Sequence, residues 1–239
     1  MTFVAGISIV SALLLAITAE TLRERIKANE RTDVKKRILE SFQILPNETT
    51  AEEVDNLFSA RIKILLVDWK NNLLPVPDNL DVTKLTPWKE DAKTAKFPIY
   101  ALKSETSDTI DAYSIPIWGR GLWGPIYGYL ALDATIDKVL GVTFAAPKET
   151  PGLGAEIQNE TFRKRWIGKK IFDENLKLTP IQTVKGKATD KYGSDKAALA
   201  YHVDGISGAT LTCNGVNDML KDSLIYYENY LRKLKGEHK

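Results

Sequence analysis

Residues 98–144 read PIYALKSETSDTIDAYSIPIWGRGLWGPIYGYLALDATIDKVLGVTF. Four apolar runs stand in this stretch: Ile99-Tyr-Ala-Leu, Asp111-Ala-Tyr-Ser-Ile-Pro-Ile, Ile126-Tyr-Gly-Tyr-Leu-Ala-Leu and Val139-Leu-Gly-Val-Thr-Phe. Each has the length and the β-branched and aromatic content of a strand, and polar or Gly-rich turn residues separate them. Connections this short predict an antiparallel sheet, since a parallel crossover needs a dozen or more residues. Downstream, Glu160 to Trp166 predicts a short basic helix and Ile181 to Lys185 one more strand. After Thr210 the period changes. Val216, Leu220, Leu224, Tyr227, Leu231 and Leu234 step by four, four, three, four and three, the single apolar stripe of a closing helix.

Upstream of the sheet, Glu20 to about Leu45 is rich in Arg, Lys, Glu and Leu, has no Gly or Pro, and stops before Pro46, as a helix does. Asn47-Glu-Thr-Thr-Ala-Glu-Glu53 reads as a turn and a helix start, with Thr49 or Thr50 as cap and Glu52 or Glu53 in the first turn. That helix is expected to reach about Ala60, and Ile62 to Trp69 reads as a strand. Between Asn71 and Phe97 lie Pro75, Pro77, Pro87 and many charges, which predicts irregular structure and a domain boundary. The fold expected is α+β, with a mostly antiparallel sheet and a closing C-terminal helix. Its divisions are an anchor over 1–19, a membrane-proximal region over 20–97 and a main domain over 98–235.

Composition narrows the function. The chain has 239 residues, 44% of them hydrophobic and 27% charged, which are globular values. With 33 Lys and Arg against 31 Asp and Glu, nothing in the balance suggests a nucleic-acid partner. One cysteine, Cys213, and two histidines, His202 and His238, are too few for an all-protein zinc, iron–sulfur or haem site. Redox chemistry on this chain requires an organic cofactor.

Thr2 to Ala19 runs eighteen positions without a charge. As a helix it extends about 27 Å, close to the thickness of a bilayer's hydrocarbon. A single membrane anchor, a cleaved signal peptide and a buried helix of a soluble protein all fit this length. No basic residue precedes the apolar run, which disfavours the signal peptide and is also what a start lying upstream would leave. From Glu20 to Arg37 there are seven basic residues and four acidic ones. Taken alone, the positive-inside rule puts the body of the protein in the cytoplasm.

Three segments are able to carry chemistry. Asp204-Gly-Ile-Ser-Gly-Ala-Thr210 is a two-glycine turn into a helix start. It reads either as an ordinary helix capped by Ser207, Thr210 or Thr212, or as a phosphate site, because a helix N-terminus offers unpaired N–H groups and partial positive charge. Glu149-Thr-Pro-Gly-Leu-Gly154 is either a tight turn or a backbone surface that a planar ligand approaches closely. Ile117-Trp-Gly-Arg-Gly-Leu-Trp-Gly124 places two tryptophans among glycines, as core residues at a turn or as a surface for an isoalloxazine ring or a partner protein. Neither a dinucleotide fingerprint nor a Walker loop is present.

Together the segments resemble one family, the FMN-binding C subunits of the sodium-translocating NADH:quinone oxidoreductases. The resemblance rests on Gly121-Leu-Trp123, Glu149-Thr-Pro-Gly-Leu-Gly154, Trp166-Ile-Gly-Lys-Lys170 and Asp204-Gly-Ile-Ser-Gly-Ala-Thr-Leu-Thr212, in that order behind one apolar N-terminal segment. It covers most of Pro98 to Leu231 and is weaker from Glu20 to Phe97.

The resemblance implies FMN joined covalently, through its phosphate, to Thr210. A separate flavin transferase makes that phosphoester from FAD and releases AMP. It also implies a domain on the periplasmic face of a bacterial inner membrane, other membrane subunits of the complex as partners, and single electrons passed between an iron–sulfur centre and a second FMN subunit. The expected cofactor-binding set is Thr210, Ser207, Gly208, Ala209, Trp123, Glu149, Thr150, Gly152, Leu153, Gly154 and Lys185, with no catalytic side chain and no metal ligand. Lys185 either favours a reduced, anionic ring or is a solvent-facing strand lysine. Asp204 either binds the transferase's metal or closes its own turn. Two other readings are a G-type subunit of the ferredoxin:NAD oxidoreductase complex, which also carries covalent FMN, and a membrane-tethered scaffold without flavin.

Overall fold

The computed structural model describes residues 2–78 and 80–237; His238 lies outside them. Its helices are α1 Thr2–Ser41, α2 Ala51–Arg61, α3 Glu160–Arg163, α4 Ala188–Tyr192, α5 Lys196–Leu199, α6 Thr210–Leu224 and α7 Glu228–Glu237. The strands are β1 Ile62–Val67, β2 Leu73–Leu74, β3 Phe97–Lys103, β4 Ile110–Arg120, β5 Pro125–Asp133, β6 Val139–Ala145, β7 Gln182–Val184 and β8 His202–Asp204.

Six strands form one antiparallel sheet in the order β2-β1-β3-β4-β5-β6. The boundary expected between 97 and 98 therefore cuts through this sheet. Ile62 to Val67, assigned to the membrane-proximal region, pairs along its whole length with β3. Proline and charge between residues 71 and 97 mark a long connection between neighbouring strands instead of a gap between two bodies.

Both faces of the sheet are covered. Along β3, Phe97, Ile99 and Ala101 join one core with Val216, Leu220, Leu224, Tyr227 and Leu231 of the C-terminal helices. The alternate residues Tyr100 and Leu102 join a second core with Ile38, Leu39 and Phe42 near the end of α1 and with Val54 and Phe58 of α2. Period-two alternation thus feeds two layers of helix from one strand. The apolar stripe of the closing helix is buried at all six positions, but two helices carry it, separated at Ile225 to Tyr227.

α1 is continuous for 40 residues, and none of its apolar N-terminal window is buried against the rest of the chain. The reading as a buried helix of a soluble protein is therefore wrong. By length and composition the segment is able to cross a membrane. The C-terminal part of α1 is clamped to the sheet. Arg37 donates to the Phe144 carbonyl at 3.2 Å, Thr143 Oγ1 donates to the Arg37 carbonyl at 3.3 Å, and Ser41 Oγ and Ser114 Oγ share a buried hydrogen bond at 2.9 Å. Thr50 caps α2 in a capping box with Glu53, which decides between the two threonines.

α6 seats directly on β4. A Cβ on Gly215 would overlap the Arg120 carbonyl, so the helix and strand backbones touch there. β3 pairs with β4 only as far as Ser114, which leaves the later part of that edge open. Ser223 Oγ fills it, accepting from Trp118 N at 2.9 Å and donating to Trp118 O at 3.0 Å. Asn217 does the same for the second, two-stranded parallel sheet of β7 and β8. Its Oδ1 accepts from Thr183 N at 2.7 Å and its Nδ2 donates to Thr183 O at 3.2 Å. The strand expected over 181–185 is thus present but short, and its partner is parallel.

Ser223→Ala leaves the Trp118 N–H and carbonyl without their partner. Urea unfolding should show a loss of about 1–3 kcal/mol. A second outcome concerns pH. Burial pushes the Asp137 carboxyl up, but the hydrogen bond and charge of Lys235 at 3.2 Å, joined by Lys170 at 3.5 Å, outweigh it and hold the pKa below its ordinary value. Because the folded pKa is depressed, the stability from this cluster should be complete above about pH 4 and lost as the pH falls below it. An NMR titration of Asp137, repeated in Lys235→Met, checks the direction.

Candidate functional site

The hairpin joining β4 to β5 turns at residues 121–124, the loop after β6 runs through Glu149 to Gly154, and α6 opens at Thr210. These segments meet at one side chain. Glu149 is 6% exposed; its Oε1 accepts from Trp123 N at 2.8 Å and its Oε2 accepts from Thr212 Oγ1 at 2.6 Å. Gly121 and Gly154 wall in the carboxylate, and a Cβ on either would overlap its oxygens. A larger residue at either position would push the carboxylate off its hydrogen bonds, and at Gly152 glycine is favoured by a φ of +76°. The Gly152 N–H is received by Glu156 Oε1 at 3.0 Å, which fixes the loop from its other side.

Around this knot lies a slot of about 180 Å³ lined by Leu122, Trp123, Thr150, Leu153, Gly208 and Thr210, among others. Trp123 is 63% exposed and Leu153 43% exposed, and together with Leu122 they line an apolar surface at the slot. A groove of about 790 Å³ adjoins it, lined by Arg165, Lys185, Lys187, Ser207, Gly208 and Thr210 as well as by residues of β7 and α6. Gly208 and Thr210 line both.

Thr210 is the first residue of α6 and is exposed. The cap position is Ala209, and no side chain caps the helix, so none of the three hydroxyls considered in the sequence fills that role. Thr212 is turned inward to Glu149, and Ser207 is exposed in the groove. The first turn of α6 therefore presents N–H groups without a side-chain acceptor beside an exposed alcohol. Gly208, at φ +76°, keeps this turn close to Leu153. Cys213 is buried.

The structure assembles Trp123, Thr150, Leu153, Gly154, Gly208, Ala209 and Thr210 at the slot. Glu149 lines it too, but both its oxygens are engaged in fixing protein groups. Lys185 is exposed and stands in the adjoining groove, and Gly152 lines neither cavity. Asp204 does not close its own turn; its Oδ1 accepts from Ala188 N at 2.7 Å, at the start of α4. Sequence reasoning took Thr212 only as a candidate cap and did not single out Arg165. A capping pattern hides the first, and the second bonds backbone carbonyls about 40 residues away, a pairing that leaves no trace in spacing.

Chemically, an exposed hydroxyl at an uncapped helix terminus suits a phosphoester, and a narrow slot between an exposed indole and a leucine suits a planar conjugated ring. Known proteins bear on the ring and not on the linkage. The FMN-binding domain family matches residues 121–225. The C subunit of the Na(+)-translocating NADH-quinone reductase of Vibrio parahaemolyticus is 33% identical over 234 residues, covering 89% of this chain and 85% of the relative. The corresponding C subunit of Chlamydia trachomatis is 33% identical over 224 residues, covering 83% and 70%. The crystal structure of the C subunit from Parabacteroides distasonis superposes with a TM-score of 0.71 at 31% identity, covering 88% of this chain and 96% of that one.

Glu149→Ala strands the Trp123 N–H and the Thr212 hydroxyl together. It should cost about 2–4 kcal/mol in urea unfolding and change the Trp123 emission, with Glu149→Gln losing less because an acceptor remains.

Proposed function

The chain belongs to the family of C subunits of the Na(+)-translocating NADH-quinone reductases, and on that premise we propose that Thr210 carries its FMN as a phosphoester. The observation that carries this reading is the exposed Thr210 hydroxyl at an uncapped helix start, opening onto a slot flanked by Trp123 and Leu153. When bound, FMN supplies one-electron chemistry, so the protein relays single electrons within an oxidoreductase complex.

The chain's own residues hold and orient the group. The free N–H groups at the start of α6 favour the one negative charge that the phosphoester keeps, by about 0.3–1 kcal/mol. Trp123 and Leu153 bound the ring's slot, and Thr150 and Gly154 offer polar and backbone groups at its edge. Lys185 supplies positive charge from the adjoining groove. Attachment by a flavin transferase joins the Thr210 oxygen to the flavin-side phosphorus of FAD. The diphosphate P–O bond breaks, AMP leaves with the bridging oxygen, and the hydroxyl proton passes to a base of the transferase.

The domain lies on the periplasmic side, anchored by the N-terminal apolar part of α1. The basic residues after the apolar segment argue less strongly against this than their number suggests, because several are engaged by the fold. Arg31 pairs with Asp81, Lys35 pairs with Asp55, and Arg37 donates to the Phe144 carbonyl. The charge rule is a tendency that such roles override.

Mass spectrometry of digested protein from cells that contain the transferase should find FMN, less one water, on the Thr210 peptide. Thr210→Ala should give a band without flavin fluorescence on a denaturing gel, with stability within about 0.5 kcal/mol of wild type, since no cap is lost. A bare Thr210 peptide would overturn the reading. A C-terminal reporter active only in the periplasm checks the orientation.

A further inference from the structure

The loop that presents Thr210 has no side-chain cap of its own, so its shape is set from outside. One tie is backbone to backbone, Gly205 N donating to Gly186 O at 3.0 Å, and a second is the Asp204 side chain, whose Oδ1 accepts from Ala188 N at 2.7 Å. The third is Arg165. Its Nη1 donates to the carbonyls of both Asp204 and Gly205, each at 3.0 Å, and its guanidinium lies over the Phe162 ring at 5.6 Å. Phe162 is itself buried in the main core, against Phe144 and Trp166. Arg165 appears in no salt bridge among the described residues, so its charge is directed at two backbone oxygens and at the groove it lines.

We propose that Arg165 is a positioning residue for flavin attachment. It fixes residues 204 and 205 against the main core so that the Thr210 hydroxyl meets the transferase in one defined pose. Charge-assisted hydrogen bonds are about twice as strong as neutral ones, and the guanidinium also gains the cation–π attraction of the Phe162 ring beneath it. The segment that carries Arg165 follows directly from the Glu149–Gly154 loop, through a 3-10 turn over Gly154–Gln158 and α3. Arg165 therefore joins the two halves of the site, the slot side and the attachment side, without touching either the ring's slot or the hydroxyl. The role rests on the attachment reading above and adds a residue that the attachment motif itself does not contain.

The test uses the full chain as wild type, Arg165→Ala and Arg165→Lys. The first readout is hydrogen exchange of the flavin-free protein. The amides of Gly205 and Ala209, both hydrogen-bonded in this loop, should exchange at least tenfold faster in Arg165→Ala, with the β4–β5 amides unchanged. The second is the rate of covalent flavin incorporation with transferase and FAD, read by gel fluorescence. Arg165→Ala should be at least tenfold slower, and Arg165→Lys, whose single nitrogen is able to reach both carbonyls, should recover part of both effects. Wild-type exchange at Gly205 and Ala209, or wild-type incorporation in Arg165→Ala, overturns the proposal. If Arg165→Ala loses β4–β5 protection as well, Arg165→Lys against wild type decides by the same two readouts. Absence of flavin on wild-type Thr210 overturns the attachment reading instead, while the exchange measurement still judges the hold of Arg165 on the loop.

Discussion

The site depends on the buried carboxylate of Glu149, whose hydrogen-bond donors among the described residues are a backbone N–H and a hydroxyl. Glu149 takes a backbone N–H from the hairpin tip and a hydroxyl from the first turn of α6, and two glycines leave room for nothing larger beside it. Burying such a group is costly unless its oxygens are satisfied. Here they are satisfied only when the β4–β5 tip, the loop after β6 and the start of α6 all occupy their native places. The cost of desolvation thus becomes a geometric condition: three segments distant in sequence are correct together or not at all. Trp123 and Leu153 can stay exposed on this knot because the backbone beneath them is fixed without their burial.

α6 is the second organising element. It meets β4 backbone to backbone at Gly215, and then lends Ser223 to the open edge of one sheet and Asn217 to the edge of the other. Two polar side chains on one helix act as strand neighbours, which removes the need for a further strand in either sheet. The first turn of the same helix carries Thr210. Thr210 is consequently placed by an element tied to both sheets, and the loop before it inherits that frame through Gly186, Ala188 and Arg165.

Much of this was legible in the chain. The four runs between Ile99 and Phe144 became β3 to β6, because alternation and turn residues are local signals. The three glycine-rich segments did converge, as their resemblance to one family implied. What escaped was whatever depends on distant partners. Ile62 to Val67 looked detached from the sheet because thirty residues rich in proline and charge separate it from β3. Thr212 looked like a cap because capping is a local rule, whereas its acceptor lies 63 positions away. The reading of one unbroken closing helix failed at Ile225 to Tyr227, where burial of the stripe continues although the helix does not. Lys185 fell in the neighbouring groove because a strand's end is foretold by its pattern and the direction it faces is not.

α1 carries a consequence of a different kind. From Ile7 to Ser41 it contains neither glycine nor proline, and its first hydrogen bond to the body of the protein, among the described residues, is from Arg31 to Asp81. Residues 20–30 are therefore a bare helical shaft, about 16 Å long, between the bilayer segment and the clamp. A shaft without a joint transmits twist. Each residue added to or removed from it would swing the whole sheet by about 100° around the axis of α1 while shifting it along that axis by only about 1.5 Å. The compass heading of Trp123 and Thr210 about the axis of α1 is thus written in the residue count of that short stretch, whatever its side chains are.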